Sequence, residues 1–172
     1  MMPYLKMAQN NAWANATLFD AVKTLPDAGF HADGPGFFST LARTLNHIYE
    51  VDLYYVDALE AGGLGRAVYD RADFETVPDL AKAQADVDAR LIAFCRSLTP
   101  DMLPALRQTE RSDGPSDERV DALLVHLFQH QIHHRGQAHV QVHSAGIAPP
   151  QLDDFHLEYG RVPSAQTYFE RP

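Results

Sequence analysis

The sequence predicts an all-α fold, a four-helix bundle with a short C-terminal helix and tail, and three observations carry that expectation. Four long stretches repeat apolar residues at helical spacing. Pro- and Gly-containing connectors that are mostly short separate them, as antiparallel or neighbouring helices require. The chain has 172 residues, 45% of them hydrophobic, enough to bury one core without staples, so residues 1–172 are read as a single domain.

The first helix is expected over residues 4–25. Leu5, Ala8, Ala12, Leu18, Phe19 and Val22 recur at helical spacing, and Pro26 with Asp27 ends it. Residues 28–36 hold three glycines and a proline and read as a loop. A second helix follows over 39–61, with Ser39 as N-cap and Gly62 and Gly63 as the stop. Successive residues turn by about 100°. That arithmetic puts Thr44, His47, Val51, Tyr55 and Ala58 on one stripe, and Asn46, Glu50 and Asp57 on the polar side.

Residues 68–76 read as a connecting loop. Pro78 opens a third helix that runs to residue 98 through Leu80, Val87, Leu91 and Phe94. Residues 103–118, with Asp113, Gly114 and Pro115 in the middle, read as a loop or a small irregular hairpin. The fourth helix is expected from Ser116 or Asp117 to Ser144, where Gly146, Pro149 and Pro150 stop it. Leu152, Phe155 and Tyr159 suggest a last short helix, and the polar tail over 162–172 reads as loose or laid over the surface.

Six of the nine histidines fall in one stretch of the fourth helix, VHLFQHQIHHRGQAHVQVH. His130 and His134 share a stripe with Leu123 and Leu127, so they point where the core-facing leucines point. A buried imidazole must satisfy two nitrogens, and an unpaired one costs roughly 1–3 kcal/mol. Two such rings one turn apart, with His47 on the apolar face of another helix, can share one solution: a divalent metal that takes a lone pair from each. The bland alternative is three core histidines bonded to carbonyls and water. His126, a turn earlier and towards the flank, is a candidate cavity residue. Tyr54 flanks the His47 stripe and could line a pocket; Glu50 is the nearest assignable carboxylate, although on the polar side. Val125, Phe128, Ile132 and Val142 make a second apolar stripe roughly opposite the histidines, which predicts a homodimer through this helix. Gly136 interrupts the helix at a cost of about 1 kcal/mol against Ala and reads first as a close approach by a neighbouring helix.

A net charge of −9, with no Lys/Arg run, argues against nucleic acid or an anionic membrane surface as partner. No apolar run approaches a membrane span. Cys95 is the only cysteine, which rules out an internal disulfide and a multi-thiolate zinc site; with no export pattern in MMPYLKMAQNNAW, a cytoplasmic setting is expected. Gln131 stands where the glutamate of an HExxH protease motif would be, and there is no phosphate-cradling Gly loop or dinucleotide fingerprint.

Three segments together resemble the DinB family of DinB/YfiT-like metalloenzymes. They are HxxxHRGQ over His130 to Gln137, LNHIYEVD from Leu45 to Asp52, and NAWAN from Asn11 to Asn15. The resemblance implies a bundle of up-down-down-up connectivity, commonly dimeric, with zinc or nickel held by His47, His130 and His134, and it brings Gln137 in as a residue beside the site. It also implies, for some relatives, activation of a low-molecular-weight thiol. The expected function is therefore a metal-dependent transferase or hydrolase acting on a small molecule. The alternative is a non-catalytic metal-binding protein of stress response.

Overall fold

The computed structural model describes residues 2–156 and 163–169. Four long helices dominate it: α1 (Met2–Val22), α3 (Leu41–Glu60), α4 (Val77–Ser97) and α5 (Val120–Ser144), with a single-turn α2 (Asp27–Phe30) after the first. α1 packs on α4 and α5, and α3 packs on α4 and α5, so each long helix buries two flanks and the core lies between all four. None of these helices is long and apolar enough to cross a membrane.

The long helices begin and end close to the limits that their Pro, Gly and capping residues predict. α3 is capped one residue later than expected: Thr40, in extended conformation, accepts a hydrogen bond from the Arg43 amide, where Ser39 was expected to act. At the other end Ala61 takes the left-handed conformation (φ 57°). The chain then turns tightly over Asp57, whose Oδ2 accepts from the Leu64 amide. A Cβ on Gly62 would come within 2.0 Å of Asp57 Oδ1 and displace the carboxylate that holds this turn. Thr76 caps α4, with Pro78 in its first turn.

Several expectations need correction. The polar side assigned to α3 is largely inside: Asn46 and Asp57 are buried. Asn46 is satisfied by the backbone of Phe74, accepting from its N–H at 2.8 Å and donating to its carbonyl at 3.0 Å, and so pins the α3–α4 connection. The all-helical class is broken by a regular antiparallel hairpin, β1 (Leu106–Arg111) and β2 (Gly114–Arg119), in which Thr109 faces Ser116. Ser116 and Asp117 therefore lie in a strand, and α5 begins at Val120. The expected loop over 28–36 contains α2, which buries Phe30.

The C-terminal segment also differs. Residues 151–156 form bends and a turn, with no helix, and Tyr159 lies outside the described residues. The described part of the tail is not loose. A 3-10 turn over Pro163–Tyr168 docks on α1, where Trp13, Ala14, Phe155 and Ala165 close a second small core. Trp13 Nε1 donates to Ser164 Oγ at 3.3 Å, which gives the buried indole its polar partner.

Candidate metal centre

The packing of α3 on α5 brings three imidazoles together. His47 stands on α3 in the stripe that begins with Thr44, and His130 and His134 stand one turn apart on α5. One nitrogen from each ring lies within 4.8 Å of the other two, a grouping that could hold a metal ion. The Nε2 atoms of His47 and His130 are 3.1 Å apart. Two nitrogens on a tetrahedral zinc, each about 2.0–2.1 Å from the ion, are separated by about 3.3 Å. The ring centroids of the three are 4.3 to 5.0 Å apart.

The electrostatics keep all three rings neutral. Burial pushes the His47 imidazolium down to about 4, with the neighbouring His134 ring and the Arg43 charge adding to it. Burial pushes His130 further, to about 3, with the neighbouring histidines adding to it. His134 is lowered by burial too, partly offset by its bond to Gln137. Neutral imidazoles have a free lone pair, which a cation requires and a proton would block. Nδ1 of His130 is buried without a hydrogen-bond partner among the described residues.

Neighbouring side chains fix the rings. His134 Nδ1 donates to Gln137 Oε1 at 2.9 Å, which leaves its Nε2 lone pair free. Gln137 Nε2 in turn meets His133 Nε2 at 3.0 Å. The ring of Phe38 covers the cluster, 4.7 Å from His47 and 5.9 Å from His134. Gln141 holds Phe38 in place: its Nε2 donates to the Phe38 carbonyl, and its Oε1 accepts from Thr44 Oγ1 at 2.7 Å. Nothing periodic in the sequence signals Phe38, because it lies in a loop. Gln141 lies two turns after His134, on the same side of α5 by the 100° arithmetic.

The other expected site residues divide. Gln137 is at the cluster. His126 is exposed at its edge, its ring 6.2 Å from His130 and 5.0 Å from Tyr55. Tyr54 serves the fold: its hydroxyl donates to the Glu110 carbonyl (2.6 Å) and accepts from the Glu110 amide (2.8 Å), which fastens β1 to α3. Glu50 interacts with Arg43, Asp73 and Arg71, and burial raises its carboxyl. Neither makes a hydrogen bond or ring contact with the three histidines among the described residues.

Directly beside the cluster runs a buried polar chain that the sequence reading missed. Arg135, next to His134, is 6% exposed and crosses the core. Its Nη1 donates to Asn11 Oδ1, Asn15 Oδ1 and Gln131 Oε1 at 2.5 to 3.0 Å. Both asparagines then donate to Asp88 on α4, and Gln84 links Asp88 to Asp52 on α3. All four long helices thus contribute to one hydrogen-bonded network. It explains NAWAN: Asn11 and Asn15 lie one turn apart and each passes the guanidinium's positive end on to a carboxylate.

Comparison with known proteins agrees with this picture. The family model described as DinB family matches residues 1–165. The protein called DinB of Bacillus subtilis is 24% identical over 154 residues, covering 86% of this chain and 89% of that one. A solved DinB-like protein of Bacillus cereus superposes with a TM-score of 0.71 at 19% identity, covering 88% of this chain and 96% of the other. A second, from Bacillus subtilis, does so with a TM-score of 0.58 at 17% identity, covering 81% and 92%.

Proposed function

This chain belongs to the DinB family, and from that premise we propose that it is a metal-dependent enzyme in which His47, His130 and His134 hold one divalent transition metal, zinc or nickel. The observation that carries the reading is the convergence of three neutral imidazoles, from two helices, with nitrogens within 4.8 Å of one another. Four long helices in mutual contact are read as a bundle of up-down-down-up connectivity, in a cytoplasmic protein. Three neutral ligands would leave a divalent ion its full charge and an open position, where it would supply a lowered pKa to a water or thiol bound there.

The chain's own residues do the positioning. Gln137 sets the tautomer of His134, and Phe38 shields one side of the rings from water. Among the described residues no carboxylate joins the histidine grouping: Gln131 stands at the glutamate position and is fully buried and bonded to Arg135, and Glu50 interacts with Arg43, Asp73 and Arg71. A substrate that loses its own proton easily suits this site better than one that needs a base. A low-molecular-weight thiol, with a pKa near 8.5, meets that condition, so thiol transfer is favoured over hydrolysis.

The test is metal analysis of protein purified without an affinity tag, followed by turnover with low-molecular-weight thiols and small electrophiles. One zinc or nickel per chain, lost together with turnover in His47→Ala and His134→Ala, is the expected result. Stoichiometric metal without turnover would leave the non-catalytic, stress-response reading. Failure to bind either metal after reconstitution would sink both.

A further inference from the structure

We propose that the groove between α1 and the second half of α5 binds a small carboxylic acid, its carboxylate on Arg135 and its apolar body along Ile132 and Leu152. The inference does not rest on the metal reading, because none of the three clustered histidines lines this groove.

Arg135 is the reason to expect an anion. It is 6% exposed, and a charged side chain is almost never buried so far without an ionic partner. Yet no carboxylate among the described residues bonds to it directly: Asp88 is reached only through Asn11 and Asn15. All three of its hydrogen bonds also leave from one nitrogen, Nη1. Nε and Nη2 make none among the described residues, and neither is sealed in the core as the orphaned Nε2 of Gln131 is. Arg135 lines the groove, so this unused edge is turned to it. The Nε–Nη2 edge of a guanidinium carries two parallel N–H bonds, the fork that takes both oxygens of a carboxylate.

The rest of the groove fits the body of such a molecule. It holds about 540 Å³, within the range of small-molecule sites. Ile132, Gly136 and His139 follow one another turn by turn along the α5 wall, and Met7 and Asn10 form the α1 wall. Pro150 and Leu152 close it from the C-terminal segment, which is fastened to the bundle twice. His139 Nε2 donates to the Pro150 carbonyl at 3.1 Å, and Phe155 is buried against Trp13. Two expectations are corrected here. Of the outer apolar stripe on α5, Phe128 and Val142 are buried within their own chain, whereas Ile132 is 54% exposed. No neighbouring helix explains Gly136: a Cβ there would meet nothing within 4 Å among the described residues. A mid-helix glycine costs about 1 kcal/mol against alanine, and a bound molecule would use the space it leaves. Asp153, the acidic residue of the lining, is exposed and accepts a hydrogen bond from Gln151 Nε2, while Arg135 supplies the groove's positive charge.

The test uses the full chain and three probes: octanoate, octanol of the same chain length without the charge, and inorganic phosphate. In calorimetric titrations octanoate should bind once per chain, at least about 10-fold tighter than octanol, the worth of a hydrogen bond to a charged group. Phosphate, which has no apolar body, should not bind measurably. In magnetic-resonance spectra of isotope-labelled protein the Arg135 Nε–H signal should move with octanoate and stay in place with octanol. Gly136→Leu, whose side chain would occupy the groove, should abolish octanoate binding, and Gly136→Ala should keep it; helical circular dichroism checks that both fold. His47→Ala should bind octanoate as the unaltered chain does, so failure of the metal reading leaves this result legible. Equal binding of octanoate and octanol overturns the proposal, as does phosphate binding as tight as that of octanoate, or octanoate binding that survives Gly136→Leu. So does no binding at all, the outcome expected if a second copy of the chain fills the groove.

Discussion

Replacing Arg135 by methionine should cost this protein a large part of its stability, and the loss should grow with pH. The guanidinium donates three hydrogen bonds in the core and is the positive charge that offsets Asp52 and Asp88 there. Removing one side of a buried charge network costs about 3–5 kcal/mol, against a total of roughly 5–15 kcal/mol for a domain. With a urea m-value of about 2 kcal/mol/M, the midpoint should fall by about 2 M. The pH dependence follows from Asp88. Burial pushes its carboxyl up to about 6 from an ordinary 3.8, and Arg135 is among the groups holding it down. A carboxyl whose folded pKa is raised keeps its proton longer in the native state. Its contribution is therefore greatest below pH 4 and is lost as pH rises towards 6, then stays level. Without Arg135 the carboxyl rises further, so the loss continues above pH 6 at about 1.4 kcal/mol per pH unit. Urea titrations at pH 5.5 and 7.5 should show a larger penalty at 7.5. An equal penalty at both, or one under 1 kcal/mol, would refute the assignment of Arg135 as the counter-charge.

Two further outcomes can be checked. Gln137→Leu should leave the fold intact but weaken zinc binding about 10–100-fold, the usual effect of losing the group that orients a ligating imidazole; chelator competition reads it. Phe155→Ala should lower stability by about 3–5 kcal/mol, because the ring is fully buried, 5.5 Å from Trp13 and stacked on Phe169. Calorimetry would show this, and a small change would mean that the C-terminal segment does not hold on to α1.

What was legible in the sequence was whatever obeyed a helical period. His130 and His134 could be phased against Leu123 and Leu127, and His47 against Val51 and Tyr55, so the cluster could be assembled before any coordinates. The hairpin could not be recognised as regular, because residues 106–119 are nearly all polar and both strands face mainly solvent, with Thr109 the buried exception. Alternation has nothing to mark where neither face is apolar. Polar residues misled in the other direction. Asn11, Asn15, Asn46 and Asp52 look like surface positions until their partners are known, and those partners lie up to 124 residues away. The tail was left open between loose and laid over the surface for a related reason: Trp13 needs a cover, but that cover comes from Phe155 and Ala165 at the far end of the chain.

The composition of α5 follows from the demands on its three sides. One side turns His130 and His134 to α3. A second sends Gln131 and Arg135 into the polar network shared with α1 and α4. The third presents Val125, Ile132, Gly136 and Val140 outward. Between Ala122 and Ser144 the one formally charged residue is Arg135, and it is buried. A further charge would upset the imidazoles on the first side and the charge balance on the second. Polar groups brought into a core cost stability unless they find partners. Arg135 finds three within the chain, Asn11, Asn15 and Gln131, while Gln131 Nε2 and His130 Nδ1 are buried without a hydrogen-bond partner among the described residues. The guanidinium is therefore the group on which the buried polar side of α5 depends.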